Sequence, residues 1–193
     1  EPISQIAMDI DKNESNGLAG TDVIISIPDA KLWWPWRPFL YQVTALLKDK
    51  EGTALDIQNE NFGLRDFSIQ SGHFYLNDQR IQLRGANLFQ ETEFSLGSEA
   101  TLNPKFVKRY LVDVAREGNI TAFRTHLGPM NKKWLDLCDA AGVMIISEFP
   151  VSQMSNNWED TTFGNFAFQE YKDLLPYLWN HPSILIWSIS NES

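Results

Sequence analysis

Four apolar runs in the second half of the sequence each end in polar side chains. The residues at these ends are Asn87 after "IQLRGA", Arg124 and His126 in "NITAFRTH", Glu148 in "VMIISEF", and Asn191 and Glu192 after "SILIWSIS". Carboxyl and imidazole groups are the side chains that most often transfer protons in catalysis, and a guanidinium binds carboxylates firmly. If the runs are parallel strands, these groups meet at one end of a sheet.

Helical patterns separate the four runs. "NPKFVKRYLVDVARE" has Asn103 as N-cap and Pro104 in its first turn, and "NKKWLDLCDAA" is closed by Gly142. A third helix is predicted over "FAFQEYKDLLPYLWN", where Pro176 is expected to break or kink it. Strands that alternate with helices form βα units, so we predict a parallel sheet with right-handed crossovers.

A closed barrel and an open dinucleotide-binding sheet both begin with such units. The open sheet needs a glycine-rich turn after its first strand, and "RGANLFQET" lacks the second and third glycines. The sequence therefore favours a barrel, in which active sites lie at the carboxyl ends of the strands.

The first 66 residues have a different pattern. Short apolar or alternating runs, "DVIISIP", "LYQVTALLKD" and "ALDIQNENFG", are separated by the turn formers "NESNG" and "DKEG". This pattern is typical of an antiparallel sandwich, but only about four strands fit where a sandwich usually has about seven. "FYLNDQRIQLRG" then predicts a hairpin around "ND". We predict two domains, a partial sandwich over 1–66 and the βα region over 67–193.

Composition excludes several classes of partner. The chain has 16 basic and 25 acidic residues, a formal charge of −9, and no cluster of lysine or arginine, so nucleic acid is not an expected partner. No apolar run of membrane-spanning length and no signal peptide is visible. Cys138 is the single cysteine, and we interpret it as a buried, inert thiol.

Six motifs occur in order along the chain, namely "LWWP…PFLYQVTALL", "FGLRDFSI", "FYLNDQRIQLRGAN", "FRTH", "WLDLCDAAGVMIISEFP" and "NHPSILIWSISNE". In this order and at about this spacing they resemble glycoside hydrolase family 2, which includes β-galactosidases, β-glucuronidases and β-mannosidases. The resemblance implies an α/β plus β fold, with the end of an immunoglobulin-like β-sandwich followed by the first four βα units of a TIM (β/α)8 barrel. It implies an enzyme with no cofactor and no bound metal, and it leaves the compartment open between bacterial cytoplasm and periplasm.

The implied activity is that of a retaining exo-β-glycosidase, most similar to β-galactosidases, acting on terminal β-linked sugars. Such enzymes need a carboxylic acid that protonates the leaving oxygen and a nucleophilic carboxylate about 5 Å away. By resemblance Glu192 is the acid/base, Asn191 donates to the sugar 2-hydroxyl, and Arg124 is the arginine that keeps the nucleophile ionised. Resemblance also implies that further residues bind the sugar, namely His126, Glu148, Asn87 and, by stacking, Trp158.

In this family the nucleophile comes from the seventh strand, so we expect the 193-residue chain alone to be inactive. We further expect it either to associate with itself through unpaired strand edges or to accompany the remainder of a parent enzyme. The sequence also departs from the family at Phe89, where many members have histidine, and in "FRTHLGP", which is one residue shorter than usual. These departures leave the sugar preference open.

Other interpretations of the same residues stay open. Arg124 and Glu148 form a structural ion pair in one of them, and His126 is a satisfied core imidazole in another. His126, Glu148 and Glu192 together are a candidate metal site, which would make the protein a metal-dependent barrel hydrolase. A further alternative is a non-catalytic carbohydrate-binding or scaffold fragment. His181 is predicted to be a structural turn residue ahead of the last strand.

Overall fold

The computed structural model describes residues 3–9, 22–89, 103–151 and 161–192. It divides into two units, Glu1–Lys31 and Leu32–Ser193, and every strand and helix named below belongs to the second. In the first unit the strand expected at "DVIISIP" is wrong, because residues 22–28 form no strand. Three of its apolar side chains, Val23, Ile24 and Ile25, are exposed, Ile24 by 93%, so the predicted strand has no packed face.

Five strands form two antiparallel sheets. They are β1 (Tyr41–Lys48) with β2 (Ala54–Phe62), and β3 (Phe67–Gln70), β4 (His73–Leu76) and β5 (Gln79–Ile81) in that order. The hairpin predicted around "ND" is confirmed, since β4 pairs with β5 and the turn residues Asn77 and Asp78 have φ of 48° and 64°. Two successive residues in the left-handed region are what a type I′ turn requires.

Four strands form the parallel sheet that was predicted. They are β6 (Gly85–Phe89), β7 (Ala122–His126), β8 (Met144–Glu148) and β9 (Ile184–Ser188), adjacent in chain order and all parallel. The first strand begins later than the pattern "IQLRGAN" indicated, because Ile81 belongs to β5 and pairs with Phe74.

The segments between these strands are helical. They are α1 (Pro104–Lys108), a π-helical turn (Arg109–Asp113), α2 (Val114–Glu117), α3 (Lys132–Ala141) and α4 (Thr161–Leu178). In the described part of the chain no helix follows β9, so the four strands are accompanied by three helical crossovers. None of the described helices is long and apolar enough to cross a membrane.

The predicted helix boundaries follow from local chemistry. Asn103 accepts hydrogen bonds from the backbone N–H groups of Lys105 and Phe106, as an N-cap does. Gly142 ends α3 with φ of 78°, and a Cβ there would lie 1.8 Å from the carbonyl oxygen of Pro35. Pro176 does not break α4, which continues to Leu178.

The parallel sheet buries both faces at its amino end. One face packs on the helices through Leu88, Phe123, Ile145 and Ile184, with Leu111 and Leu135 on the helical side. The other face carries Ala122, Met144 and Leu185, and it is covered by Trp33 and Leu76. Apolar side chains therefore pack on the amino ends of the strands on this second face.

Candidate active site

Strand register places the predicted polar residues on one face. Asn87 pairs with Arg124, and Arg124 pairs with Ile146, so their side chains lie in one row across three strands. One step toward the carboxyl ends on the same face, Glu148 pairs with Ser188. A cavity of about 390 Å³ lies over this row, with Asn87, Arg124 and Ile146 in its lining.

Arg124 connects the members of the site. Its Nη2 donates to Glu148 Oε2 and, at 2.7 Å, to Asn191 Oδ1, while Nη1 donates to Asn87 Oδ1 at 3.3 Å. The guanidinium therefore joins side chains from β6 and β8 and from the segment after β9. The ion pair between Arg124 and Glu148 was one of the open alternatives, and it is present.

Glu148 is a buried carboxylate with one open oxygen. Its side chain is 0% exposed, and Oε2 accepts from Arg124 and, at 3.2 Å, from the Ser188 hydroxyl. Its backbone N–H donates to Thr125 Oγ1 at 3.0 Å. Oε1 has no hydrogen-bond partner among the described residues. Because an unpaired buried carboxylate oxygen is costly, Oε1 is suited to accept a hydrogen bond from a ligand.

The chain after β9 is fixed at Asn191. Its backbone N–H donates to the Val151 carbonyl at 2.8 Å, and its side chain receives the bond from Arg124. Glu192 follows with φ of 51° and an exposed side chain that makes no hydrogen bond within the described part of the chain. A left-handed conformation is uncommon for glutamate and occurs more often at functional sites.

The remaining predicted residues have different outcomes. His126 is half-buried at the carboxyl end of β7, and strand alternation puts it on the same face as Arg124. Trp158 lies outside the described residues. Cys138 is buried in α3, and burial raises the pKa of its thiol far above the ordinary value, so it is not a nucleophile.

The candidate metal site of His126, Glu148 and Glu192 is not assembled. Within the ranges that the structure describes, Asp136, Asp139 and His181 are the group with ligand atoms within 4.8 Å of one another. His181 Nδ1 lies 2.6 Å from Asp139 Oδ2, which is hydrogen-bond distance. Two ligands bound to one zinc ion at about 2.0–2.1 Å would be roughly 3.3 Å apart, so the pair is a hydrogen bond and not a metal centre.

Several residues around Glu148 and around His181 were not predicted from the sequence. Ser188 and Thr125 support Glu148, and a serine inside the apolar run "ILIWS" was the available signal for the first. Asp139 was missed too, although an acid beside Cys138 on the apolar face of a helix suggests a buried partner. His181, predicted to be structural, hydrogen-bonds Asp139 ahead of β9.

Two family models match this chain. The one described as "Glycosyl hydrolases family 2, TIM barrel domain" covers residues 67–193, and the one described as "Glycosyl hydrolases family 2" covers residues 4–65. The first alone spans well over half of the chain. Both agree with the resemblance drawn from the sequence motifs.

Individual relatives agree with the family models. A β-galactosidase of Psychromonas ingrahamii is 29% identical over 88% of this chain and 16% of its own length, and one of Thermoanaerobacterium thermosulfurigenes is 29% identical over 88% and 23%. The structure of a β-glucuronidase from Ruminococcus gnavus in complex with D-glucuronic acid superposes with a TM-score of 0.78 at 27% identity, covering 91% of this chain and 29% of that one.

The chain thus spans about a sixth to a quarter of the curated β-galactosidases it is compared with and under a third of the β-glucuronidase. Its motifs, its parallel sheet and these matches all point to one family. The chain belongs to glycoside hydrolase family 2.

Proposed function

We propose that the protein carrying this chain is a retaining exo-β-glycosidase that acts on β-galactosides, with β-glucuronides and other β-hexosides as the nearest alternatives. The observation that supports the proposal most is the cluster joined by Arg124, in which Asn87, Glu148 and Asn191 meet at the carboxyl ends of parallel strands. The relatives named above are β-galactosidases and a β-glucuronidase, which supports the same class of substrate.

The proposal includes a finer account of the fold. The four parallel strands would form the first half of a (β/α)8 barrel within 67–193, and residues 1–66 would form the end of an immunoglobulin-like sandwich. The antiparallel pair β1–β2 and the unbroken order of β6 to β9 are compatible with this account. Self-association of the isolated chain remains a prediction, and light scattering on the purified chain tests it.

The hydrogen bonds suggest a role for Asn191. Its Oδ1 accepts from Arg124, so the amide is oriented and the two donors on Nδ2 remain for a ligand. In the proposed reaction Nδ2 donates to the sugar 2-hydroxyl, a bond that strengthens as the oxocarbenium-like transition state forms. Glu192, the next residue, would protonate the leaving oxygen as the glycosidic bond breaks.

Arg124 and Glu148 would hold the other reacting and binding groups. The bonds of Arg124 to Asn87, Glu148 and Asn191 use three of the five guanidinium hydrogens, which leaves two for a second carboxylate such as the nucleophile. Glu148 Oε1, open and buried, would accept from a sugar hydroxyl. Asn87, His126 and Trp158 are proposed as further sugar contacts.

A panel of nitrophenyl glycosides, assayed with the natural polypeptide that contains this chain, tests the reaction class. We expect hydrolysis of a β-hexoside without added metal. Activity on α-linked substrates alone, or a strict requirement for a metal ion, would refute the proposal.

The Glu192→Gln variant tests the acid/base role in the same polypeptide. We expect substrates with good leaving groups to lose less activity than natural ones, because they need less protonation. Added azide should restore turnover and give a β-glycosyl azide. Lys132→Met is the matched control, since Lys132 bonds Glu60 away from the site. No azide product, and an equal loss on all substrates, would remove Glu192 from the role.

A further inference from the structure

The start of β9 is held by side chains from two distant segments. Asp139 on α3 accepts from the Ser183 backbone N–H at 3.0 Å through Oδ1, and its Oδ2 lies 2.6 Å from His181 Nδ1. Arg65, before β3, donates from Nε to the Pro182 carbonyl at 2.8 Å and from Nη2 to the Ile184 carbonyl. We call Arg65, Asp139 and His181 the β9 clamp.

The Asp139 and His181 side of the clamp is buried, whereas Arg65 is half-buried. His181 and Asp139 are 2% and 3% exposed, and Ser183 is fully buried. Trp33 covers the cluster and donates from Nε1 to the Asp139 carbonyl at 2.8 Å. Burial lowers the pKa of Arg65, while the charge of Asp139 opposes that change. The backbone groups of residues 182–184 therefore have side-chain partners from two distant segments of the chain.

A β-bulge follows the clamp directly. Ile145 pairs with Ile184, but the next residue of β8, Ile146, pairs with Ile186, so Leu185 is one extra residue in β9. The packing shows the same break in alternation. Ile184 belongs to the helix-facing core, whereas Leu185 and Ile186 both pack with Trp33 and Leu76 on the opposite face.

The bulge decides which face the end of β9 presents. With strict alternation from Ile184, Ser188 would lie on the helix-facing side, since a one-residue shift moves every later side chain to the other face. With Leu185 bulged, Ser188 lies opposite Glu148 and donates to it at 3.2 Å, and Asn191 reaches Arg124. The position of Asn191 and Glu192 thus depends on where the first residues of β9 are fixed.

We propose that the β9 clamp is a positioning device for the active site: by fixing residues 181–184 it makes the Leu185 bulge obligatory and so directs Asn191 and Glu192 to the Arg124–Glu148 cluster. The clamp holds the amino end of β9 and acts along the strand on Asn191, which lies seven residues after Ile184 and about 20 Å away. Its catalytic consequence rests on the proposed glycosidase function. The structural consequence of the clamp does not depend on that function.

Amide hydrogen exchange on the purified chain tests the structural part. In Arg65→Met the Pro182 and Ile184 carbonyls lose their donor, and Asp139 loses a nearby positive charge but keeps its bonds to Ser183 and His181. We expect exchange at the Phe149 and Asn191 amides, which bond Ser188 and Val151 at the far end, to speed up at least tenfold more than at ladder amides between β6 and β7. Arg65→Lys should restore part of the protection. Lys132→Met is the control and should change all amides equally.

A uniform change in exchange would overturn the proposal, because a merely stabilising residue lowers protection everywhere in proportion. If Arg65→Met fails to fold, Asp139→Asn is the second variant, since it keeps an acceptor for Ser183 but alters the bond to His181. The same selective loss at Phe149 and Asn191 is expected for it, and its absence would equally overturn the proposal.

Kinetics in the active natural polypeptide test the catalytic part. Per active site, Arg65→Met should lower kcat by tenfold or more with little change in KM, and should displace the basic limb of the pH profile that reports the general acid. An unchanged profile and kcat would overturn the positioning role. If Arg65→Met gives the selective change in exchange but the natural polypeptide hydrolyses no β-glycoside, the proposed function is refuted and the structural role of the clamp is retained.

Discussion

Among the residues of the second unit that the structure describes, Asp139 and Glu148 are buried carboxylates, and their surroundings differ. Asp139 is 3% exposed, and both of its oxygens have partners in Ser183 and His181. Glu148 is 1% exposed, and one of its oxygens has a partner while the other has none among the described residues. Asp139 lies beside the amino end of β9, and Glu148 lies beside the carboxyl end.

The difference fits a structural role for Asp139 and the proposed sugar-binding role for Glu148. A buried carboxylate whose oxygens are both hydrogen-bonded has no remaining capacity for a ligand. Its removal leaves its former partners buried without a hydrogen bond, which is destabilising. A half-paired carboxylate has one buried oxygen without a hydrogen bond in the folded protein. A ligand that donates to this oxygen removes the unfavourable contribution. If the proposed function is correct, the two ends of one strand serve different purposes, the amino end stability and the carboxyl end recognition of the sugar.

The largest effect on stability is expected from Asp139→Ala. The change leaves Ser183 N–H and His181 without partners in a sealed site, so the free energy of unfolding should fall by about 3–5 kcal/mol. Urea titration of the variant against the parent chain measures it. A loss below that caused by Glu148→Ala would break the comparison.

Glu148→Gln should affect activity more than stability. The variant keeps the shape of the side chain but removes the charged acceptor, so the natural polypeptide should lose about 10–100-fold in kcat/KM. The unfolding midpoint should change less than in Asp139→Ala, because Arg124 is 28% exposed and reaches water. Steady-state kinetics and urea titration on the same preparation test both parts, and full activity would contradict the binding role.

Ser188→Ala removes one hydrogen bond from Glu148 while the Arg124 bond stays. We expect a loss of about 0.5–1.5 kcal/mol in the free energy of unfolding, as for a single hydrogen bond. Ser68→Ala, on β3, is a suitable control for loss of a hydroxyl. Equal effects of the two substitutions would show that the Ser188 bond contributes nothing specific.

The smallest expected effect is a pH-dependent gain in stability on substitution of Asp136, which lies at the edge of the Asp139 cluster. Burial raises the pKa of Asp136, the charge of His181 lowers it and that of Asp139 raises it. Because the folded chain holds this proton more tightly than the unfolded chain, ionisation of Asp136 reduces stability as pH rises through both pKa values. Asp136→Asn should therefore raise Tm slightly at pH 7 and not below pH 3. A gain that persists in acid would contradict the assignment.

Local chemistry made much of the fold predictable. The Asn103 cap, the left-handed Gly142 and the "ND" turn each depend on neighbours in sequence, and all three are confirmed. The parallel order followed from strands alternating with helices. The polar strand ends were also found, because each interrupts an apolar run at the point where a strand has to stop.

Features that depend on distant partners were not predictable. In "SILIWSIS" residues 184–187 are all apolar, so the pattern around Leu185 has no alternation from which the bulge could be inferred. Residues 22–28 are the opposite case. Their sequence pattern predicts a strand, but no described residues form a neighbouring strand with which it could pair. Asp139 finds its partners 42 and 44 residues away, and only tertiary structure shows that it is satisfied.

The contact between Gly63 and Pro182 has a consequence for sequence drift. A Cβ at position 63 would lie 2.6 Å from Cγ and 2.7 Å from Cβ of the proline ring, although nothing in the φ of this glycine demands its flexibility. The constraint is therefore mutual and steric: a larger residue at 63 becomes tolerable only if 182 becomes smaller. Across divergent homologues the two positions should change as a pair, while Gly52, with nothing within 4 Å, should drift freely toward the other residues that tolerate a φ of 88°.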